Sequence, residues 1–287
     1  MIKTESTTQQ LVELRPYLFK IAYNMLGTVE EADDIVQDVC EKWLKANHAG
    51  IDNAKAYLAR MIVNQSINRL NELKTIRENY TGFWLPEPYV TLESNPEFPG
   101  IDYGLLMLME RLNPIERAVF ILRESFSESY DSIADLTGQS PENCRQLLHR
   151  SHEKIKYTSV KPVPAEKHRA LTEAFLSALY QQDRSALEEI LRRDIELYSD
   201  GGGKKAAALK PLFGMDKVLK FLFGITKLEN DKQETYSYKP AFFNGQPAAL
   251  LYLDSTGELD SAVFISFDDS GISRLHFIRN PDKLKVR

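Results

Sequence analysis

The stretch that most restricts the fold runs from Ser129 to Lys156, SYDSIADLTGQSPENCRQLLHRSHEKIK. Its spacing predicts two short helices joined by a tight turn. Ala134 is a small residue where two helices must touch, Gly138 supplies the turn, and Cys144 and Leu147 fall on core positions. Ser140 is placed to cap the second helix, with Pro141 at the first helical position, where a missing N–H costs nothing. Asn143, Arg145, Gln146, His149 and Arg150 then project from the open side, beside Glu142. Amide and guanidinium groups at that spacing match the edges of bases and the phosphates of a major groove. The alternative is a helical hairpin packed inside a larger all-α domain.

Charge distribution bears on that choice. The chain carries a net charge of −5, so it is no general nucleic-acid coat, and a DNA reader of this balance must segregate its charge. It does so near the second helix, where Arg145, Arg150, Lys154, Lys156 and Lys161 outnumber Glu142 and Glu153. The chain is long enough, at 287 residues, for two or three domains. A polar N-terminus and the lack of a long apolar run predict neither a signal peptide nor a membrane span. Two distant cysteines, Cys40 and Cys144, make no disulfide framework, so the expected compartment is the reducing cytoplasm.

Upstream, Leu14, Leu18, Ile21, Ala22 and Met25 form one helical stripe that Gly27 ends. Thr28-Val29-Glu30-Glu31 reads as a capping box for a second helix. That helix buries Ile35, Val36, Val39, Cys40, Trp43 and Leu44, and its other face is acidic: Glu30, Glu31, Asp33, Asp34, Asp38 and Glu41. After a break at Asn47–Gly50, Asp52 is a candidate cap for a third helix whose polar positions are basic and amide-rich: Lys55, Arg60, Asn64, Gln65, Asn68, Arg69, Lys74 and Arg77. The acidic face either docks a basic protein surface or pairs with the basic helix next to it. Residues 81–100 hold four prolines, yet also Phe83, Trp84, Leu85 and Tyr89. A free tether would not carry these aromatics, so the segment is expected to lie bound on a surface.

Beyond a second proline-containing linker at residues 161–166 the character changes. Leu171, Ala174, Phe175, Ala178 and Leu179 mark one helix, Leu187, Ile190 and Leu191 a second, and Val218, Leu219 and Leu222 a third. Strands are expected at 195–198, 236–243, 248–253, 261–267 and 272–278, with Asn244-Gly245 and residues 268–271 as turns. The order ααβαββββ implies an α+β cone, a curved antiparallel sheet wrapped onto helices, with a mouth able to hold a small ligand.

Taken together, these motifs resemble those of bacterial extracytoplasmic-function (ECF) sigma factors of the sigma-70 family. Residues 14–19 (LRPYLF), Ile21-Ala22-Tyr23 and Asp33-Asp34-Ile35-Val36-Gln37-Asp38 resemble region 2; Arg60-Met61-Ile62-Val63-Asn64 resembles the helix that opens the −10 element; Asn113-Pro114-Ile115-Glu116-Arg117 and the helix-turn-helix resemble region 4. Trp84-Leu85-Pro86-Glu87-Pro88, Asp200-Gly201-Gly202-Gly203-Lys204 and Asn280-Pro281-Asp282-Lys283-Leu284 resemble the three hallmarks of the subgroup with a SnoaL-like (NTF2-like) C-terminal extension. The implied architecture is multidomain: region 2 at 8–78, a linker at 79–102, region 4 at 103–160 and an α+β SnoaL-like regulatory domain at 165–287.

The resemblance also assigns roles. Asp33, Asp34, Gln37 and Asp38 would dock on the β′ clamp helices of core RNA polymerase, and region 4 would meet the β flap. Asn64 would help hold a flipped −10 base, Arg60, Arg69 and Lys74 would follow phosphates, and Asn143, Arg145, Gln146, His149 and Arg150 would read the −35 element. Trp84, Leu85 and Pro86 of the linker, with Asp200, Gly201, Gly202, Gly203 and Lys204 of the tail, would form a regulatory contact inside the chain. Promoter DNA and core polymerase are the expected partners, with a small-molecule ligand of the tail a further candidate and no membrane. No cofactor, metal or catalytic set is expected: Cys144 points inward, away from His149 and His152, and Asp194, Asp200, His168 and His276 form no acid–base constellation. The competing function is a small-molecule-binding or isomerase-like enzyme domain fused to a DNA-binding module.

Overall fold

A computed structural model describes residues 2–48, 50–92, 101–155, 165–231 and 233–286. The chain divides into two compact units, residues 1–78 with 105–157, and residues 79–104 with 158–287. Lys156 and Lys161–Pro164 of the second linker, and Pro96, Pro99 and Gly100 of the first, lie outside the described residues.

The first unit is all helical. Helices α1 (Ile2–Leu26), α2 (Val29–Lys45) and α3 (Ala54–Glu78) form a bundle. Its core takes Leu18, Ile21 and Met25 from α1, Ile35, Val36, Val39 and Trp43 from α2, and Leu58, Ile62, Val63 and Leu70 from α3. Gly27, at φ +72°, ends α1 as expected. Two expected caps are corrected. Thr28 is the N-cap of α2, but its side chain accepts no capping hydrogen bond. The cap of α3 is Asn53 rather than Asp52, its Oδ1 accepting from Ala56 N at 3.0 Å. The chain re-enters the unit on α4 (Tyr103–Leu108) and continues through α5 (Pro114–Glu124), α6 (Tyr130–Thr137) and α7 (Pro141–Ile155). Asn113 and Glu116 close a reciprocal capping box on α5. Gly138 turns at φ +70° between α6 and α7, and Ser140 Oγ accepts from Asn143 N at 3.1 Å. Cys144 is fully buried, with Leu147 beside it in the core.

In the second unit, β1 (Val90–Thr91) is followed by α8 (Ala165–Tyr180), α9 (Arg184–Ile190), β2 (Leu191–Asp200), β3 (Leu212–Phe213), α10 (Met215–Asp231), β4 (Tyr236–Phe243), β5 (Gln246–Leu253), β6 (Leu259–Asp268) and β7 (Gly271–Ile278). Leu191, expected in a helix, begins β2 instead. On α8 the buried stripe is rotated from the expected one: Ala174 is exposed, while His168, Thr172 and Leu176 face in. The seven strands lie in the order β1-β4-β5-β6-β7-β2-β3, with β2 parallel to β7 and the remaining strand pairs antiparallel.

One sheet face packs Leu197, Ala249, Leu251, Val263, Ile265, Leu275 and Phe277 against Phe175, Leu176 and Leu179 of α8 and Val218, Leu219 and Leu222 of α10. The opposite face carries Tyr198, Phe243, Phe264 and His276, also buried. Residues 83–91 and 101–103 of the same chain lie along it. Phe83 packs on Tyr198 with ring centroids 5.5 Å apart, and Tyr103 meets Phe243, Phe264 and His276 at 5.7–5.8 Å. A sheet covered on both faces explains why Ala262-Val263-Phe264-Ile265 is apolar without alternation. Val90 and Thr91 extend the sheet at its edge by pairing with Phe243 and Phe242. The Asn244-Gly245 turn, both residues at positive φ, holds the covering segment at two points. Asn244 Oδ1 accepts from Tyr89 N at 3.0 Å and its Nδ2 donates to Ile101 O at 3.1 Å.

Asn244→Ala should therefore remove the partner of one buried and one half-buried backbone group and strain the turn. The expected loss is about 2–4 kcal/mol of stability for the sheet unit, read by urea denaturation.

Candidate functional site

The exposed faces of the helical unit carry most of the expected contact residues. On α2, Asp34, Gln37 and Asp38 are exposed and Asp33 is half-buried, paired with Arg15 at 3.5 Å. On α3, Arg60, Asn64 and Lys74 are exposed. Arg69 is not free: its Nε and Nη2 grip both carboxylate oxygens of Glu31 at 2.5 and 2.7 Å, and Nη1 reaches Glu72 at 2.8 Å. Here the acidic and basic helices do pair with each other. On α7, Arg145, Gln146, His149 and Arg150 are exposed along one side; Asn143 is half-buried, its amide donating to Gln139 Oε1 at 2.7 Å. The Arg145 guanidinium lies 4.7 Å above the Tyr130 ring, which restrains its direction. His152 lies beside Glu124 at 3.2 Å. Among the described residues no group of three or more His, Cys, Asp or Glu could hold a metal, and no helix is long and apolar enough to cross a membrane.

In the sheet unit the three hallmark segments meet at one buried carboxylate. Asp200, at the end of β2, is 1% exposed. It accepts from Tyr80 Oη at 2.7 Å, Leu85 N at 3.0 Å, Gly202 N at 2.9 Å and Lys283 Nζ at 2.7 Å. Lys283, 7% exposed, also donates to Leu85 O at 2.5 Å and sits 4.2 Å from the centroid of the Trp84 ring. A buried ion pair is tolerable when its remaining hydrogen-bonding positions are filled. Here the linker backbone fills them. Leu85 and Pro86 are buried, and Tyr103 Oη donates to Pro86 O at 2.9 Å.

The glycines follow from the same closeness. A Cβ on Gly202, which stands at φ +61°, would come within 2.5 Å of the Asn280 side chain; one on Gly203 would press on Thr81 of the linker at 3.1 Å. Lys204 ties the loop to Asp282 at 2.6 and 2.8 Å on the surface. Burial and the hydrogen bond to Asp200 push the Tyr80 phenol well above its ordinary range.

Lys283, Tyr80, Asn280, Tyr103 and Asn244 were not among the sequence-derived candidates. Lys283 and Asn280 stand inside the third hallmark motif, so their signal was present. Tyr80 and Asn244 carried none beyond a lone tyrosine and a hairpin turn.

The residues weighed for acid–base work serve other ends. Asp194 is exposed and paired with Arg192 at 2.7 Å. His168 is buried with Nε2 2.9 Å from Ile265 O, and burial lowers its pKa. His276 is fully buried between Tyr103 and Tyr198 under the linker, and desolvation pushes its pKa down to about 3. The interior of the cone, between α10 and the sheet, retains a cavity of only about 40 Å³, bordered by Asp260 and Arg279. Burial opposes charge on Asp260, but Arg279 and Lys205 outweigh it and hold that carboxyl below its usual value.

Two outcomes are expected. Asp200→Asn, which strands the Lys283 charge, should cost about 3–5 kcal/mol, and a double-mutant cycle with Lys283→Met should give a coupling of about 1–3 kcal/mol by urea denaturation. His276 is neutral when folded and titrates near 6.5 when unfolded, so protons favour unfolding once pH falls below 6.5. Its contribution is intact at pH 7 and drops by about 2 kcal/mol at pH 5, a loss that His276→Phe should remove from the stability–pH profile.

Comparison with known proteins identifies the two helical modules. Residues 11–75 match sigma-70 region 2 and residues 104–155 match sigma-70 region 4. The ECF RNA polymerase sigma factor SigJ of Mycobacterium tuberculosis is 27% identical, over 94% of this chain and 90% of the relative. A probable ECF sigma factor of the same organism, SigI, is 28% identical over 94% and 92%. The crystal structure of M. tuberculosis SigJ superposes with a TM-score of 0.74 at 25% identity, covering 96% of this chain and 97% of that one. The chain thus belongs to the ECF sigma factors of the sigma-70 family, with region 2 in its N-terminal bundle, region 4 in its helix-turn-helix, and a sheet-rich C-terminal domain.

Proposed function

We propose that the chain directs core RNA polymerase to selected promoters, with region 2 opening the −10 element and region 4 reading the −35 element. The observation that carries this is the presence of both modules in order, each presenting its chemistry outward. Asp34, Gln37 and Asp38 offer an acidic face to the polymerase clamp, Asn64 offers an amide to an unstacked base, and Arg145, Gln146, His149 and Arg150 line the open side of α7.

The C-terminal domain regulates this activity from within the chain. Its support is the clamp at Asp200, which takes up the segment joining region 2 to region 4. With Tyr80, Leu85, Val90 and Thr91 held on the sheet domain, the segment joining the two modules has less reach than the same segment free, so clamping limits the promoter spacings the two modules can serve. The domain is a binding and restraining element rather than an enzyme. In support, the pocket between α10 and the sheet, at about 40 Å³, is too small for a substrate-sized molecule, and His168 and His276 are committed to packing. A small-molecule ligand would find space in the cleft of about 280 Å³ between α8 and the β4–β5 hairpin, floored by Pro240, Phe242 and Pro247.

Run-off transcription with purified core enzyme tests the scheme. Asp34→Lys with Gln37→Lys should weaken core binding about tenfold or more. Asn64→Ala should lower output with core binding intact. Asp200→Ala should alter the ratio of output from short-spacer and long-spacer promoters by about fivefold. Equal core affinity in the charge-reversed variant refutes the polymerase reading; an unchanged spacer ratio refutes the regulatory one.

A further inference from the structure

The helical unit also holds a cleft that shares only Lys74 with the expected promoter contacts. A cleft of about 470 Å³ opens between the C-terminal half of α3 and the start of α5. Asn71, Lys74 and Arg77 line it from region 2, and Asn113 and Arg117 from region 4. Two carboxylates also line it, Glu78 and Glu110. Glu110 is saturated: Arg77 Nη1 takes Oε2 at 2.5 Å, and Arg117 Nη1 takes Oε1. Glu78 lies 4.0 Å from Lys74, a loose surface pair. Three cations therefore face two anions, and one positive charge is left over.

The surplus lies at Arg117. Its side chain is 2% exposed, Nε donates to Asn24 O at 3.0 Å, and Nη2 is buried without a hydrogen-bond partner among the described residues. An arginine fork with an empty N–H, sunk in a cleft with a net positive wall, lacks an acceptor of opposite charge.

We propose that this cleft binds a small, free phosphate-type oxyanion between regions 2 and 4, held by Arg117 and Arg77 at its base and by Lys74 and Asn71 at its rim. A DNA backbone phosphate does not fit this role, because the guanidinium it must meet is almost wholly buried at the base of the cleft, out of reach of a duplex. The site's walls come from both modules, so its occupant bridges them. The inference rests on side-chain geometry and stands whether or not the spacing scheme above holds.

Titration calorimetry of the full chain with inorganic phosphate and with pyrophosphate, at constant ionic strength, tests it. The expected result is one saturable site that loses at least about tenfold in affinity in Lys74→Glu, where a rim charge is reversed, and in Arg117→Lys, which lacks the second fork nitrogen. Thermal melting establishes that each variant folds; if Arg117→Lys does not, the exposed Asn71→Asp replaces it. No saturable binding at millimolar pyrophosphate overturns the proposal, as does an affinity unchanged by Lys74→Glu. A short promoter-free duplex supplies the last arm: if it displaces pyrophosphate from the wild-type chain, the occupant is a backbone phosphate and the free-anion assignment fails.

Discussion

The sheet domain depends on one buried carboxylate being fully served. Asp200 lies at the junction of β2, the glycine loop and the C-terminal turn, and only part of its demand is met within that domain, by Gly202 N and Lys283. Tyr80 and the Leu85 amide meet the remainder. Removing those two groups would leave a buried ion pair short of hydrogen bonds, the circumstance in which such pairs destabilise. The segment between the two promoter modules is thus a structural requirement of the C-terminal domain as much as a connection between helices.

The same dependence is written in apolar surface. One sheet face needs α8 and α10; the other presents Tyr198, Phe243, Phe264 and His276, on which Phe83 and Tyr103 of the linker segment pack. Burying an aromatic ring contributes on the order of 2–3 kcal/mol, so several rings outweigh the entropy of fixing a proline-stiffened strand of chain. His276 fits this reading. A histidine in the middle of a covered face is a packing residue that must stay neutral, not a proton carrier.

Much of this was legible in the chain. The helix-turn-helix declared itself through Gly138, Ser140 and Pro141, because local caps and turns are decided by neighbouring residues. The hairpin at Asn244-Gly245 was readable for the same reason. The aromatics at 83–89 showed that the linker had to lie on a surface, but not on which one. Thr28 and Asp52 were misjudged because several polar residues near a helix start compete for one backbone N–H, and geometry settles the winner. The rotated stripe of α8 was hidden because Thr172 and His168 are polar residues buried by local hydrogen bonds, which a hydrophobic period does not register. Lys283 and Asn280 escaped as individual residues because their partners, Asp200 and Tyr80, lie 83 and 200 positions away. Arg69 looked like a phosphate ligand until its bidentate pairing with Glu31 placed it across the bundle.

Strand β1 contributes only two residues, yet it ties the segment after α3 into the C-terminal sheet. Since Val90 and Thr91 pair with β4, and Tyr80, Leu85 and Tyr103 are seated on the same domain, the peptide link after α7 is not what keeps that domain in place. A nick between residues 157 and 165 would cut the covalent thread and leave the domain docked, much as a separately made subunit would be. The fusion behaves as a resident partner whose recognition peptide is supplied by the chain that carries it.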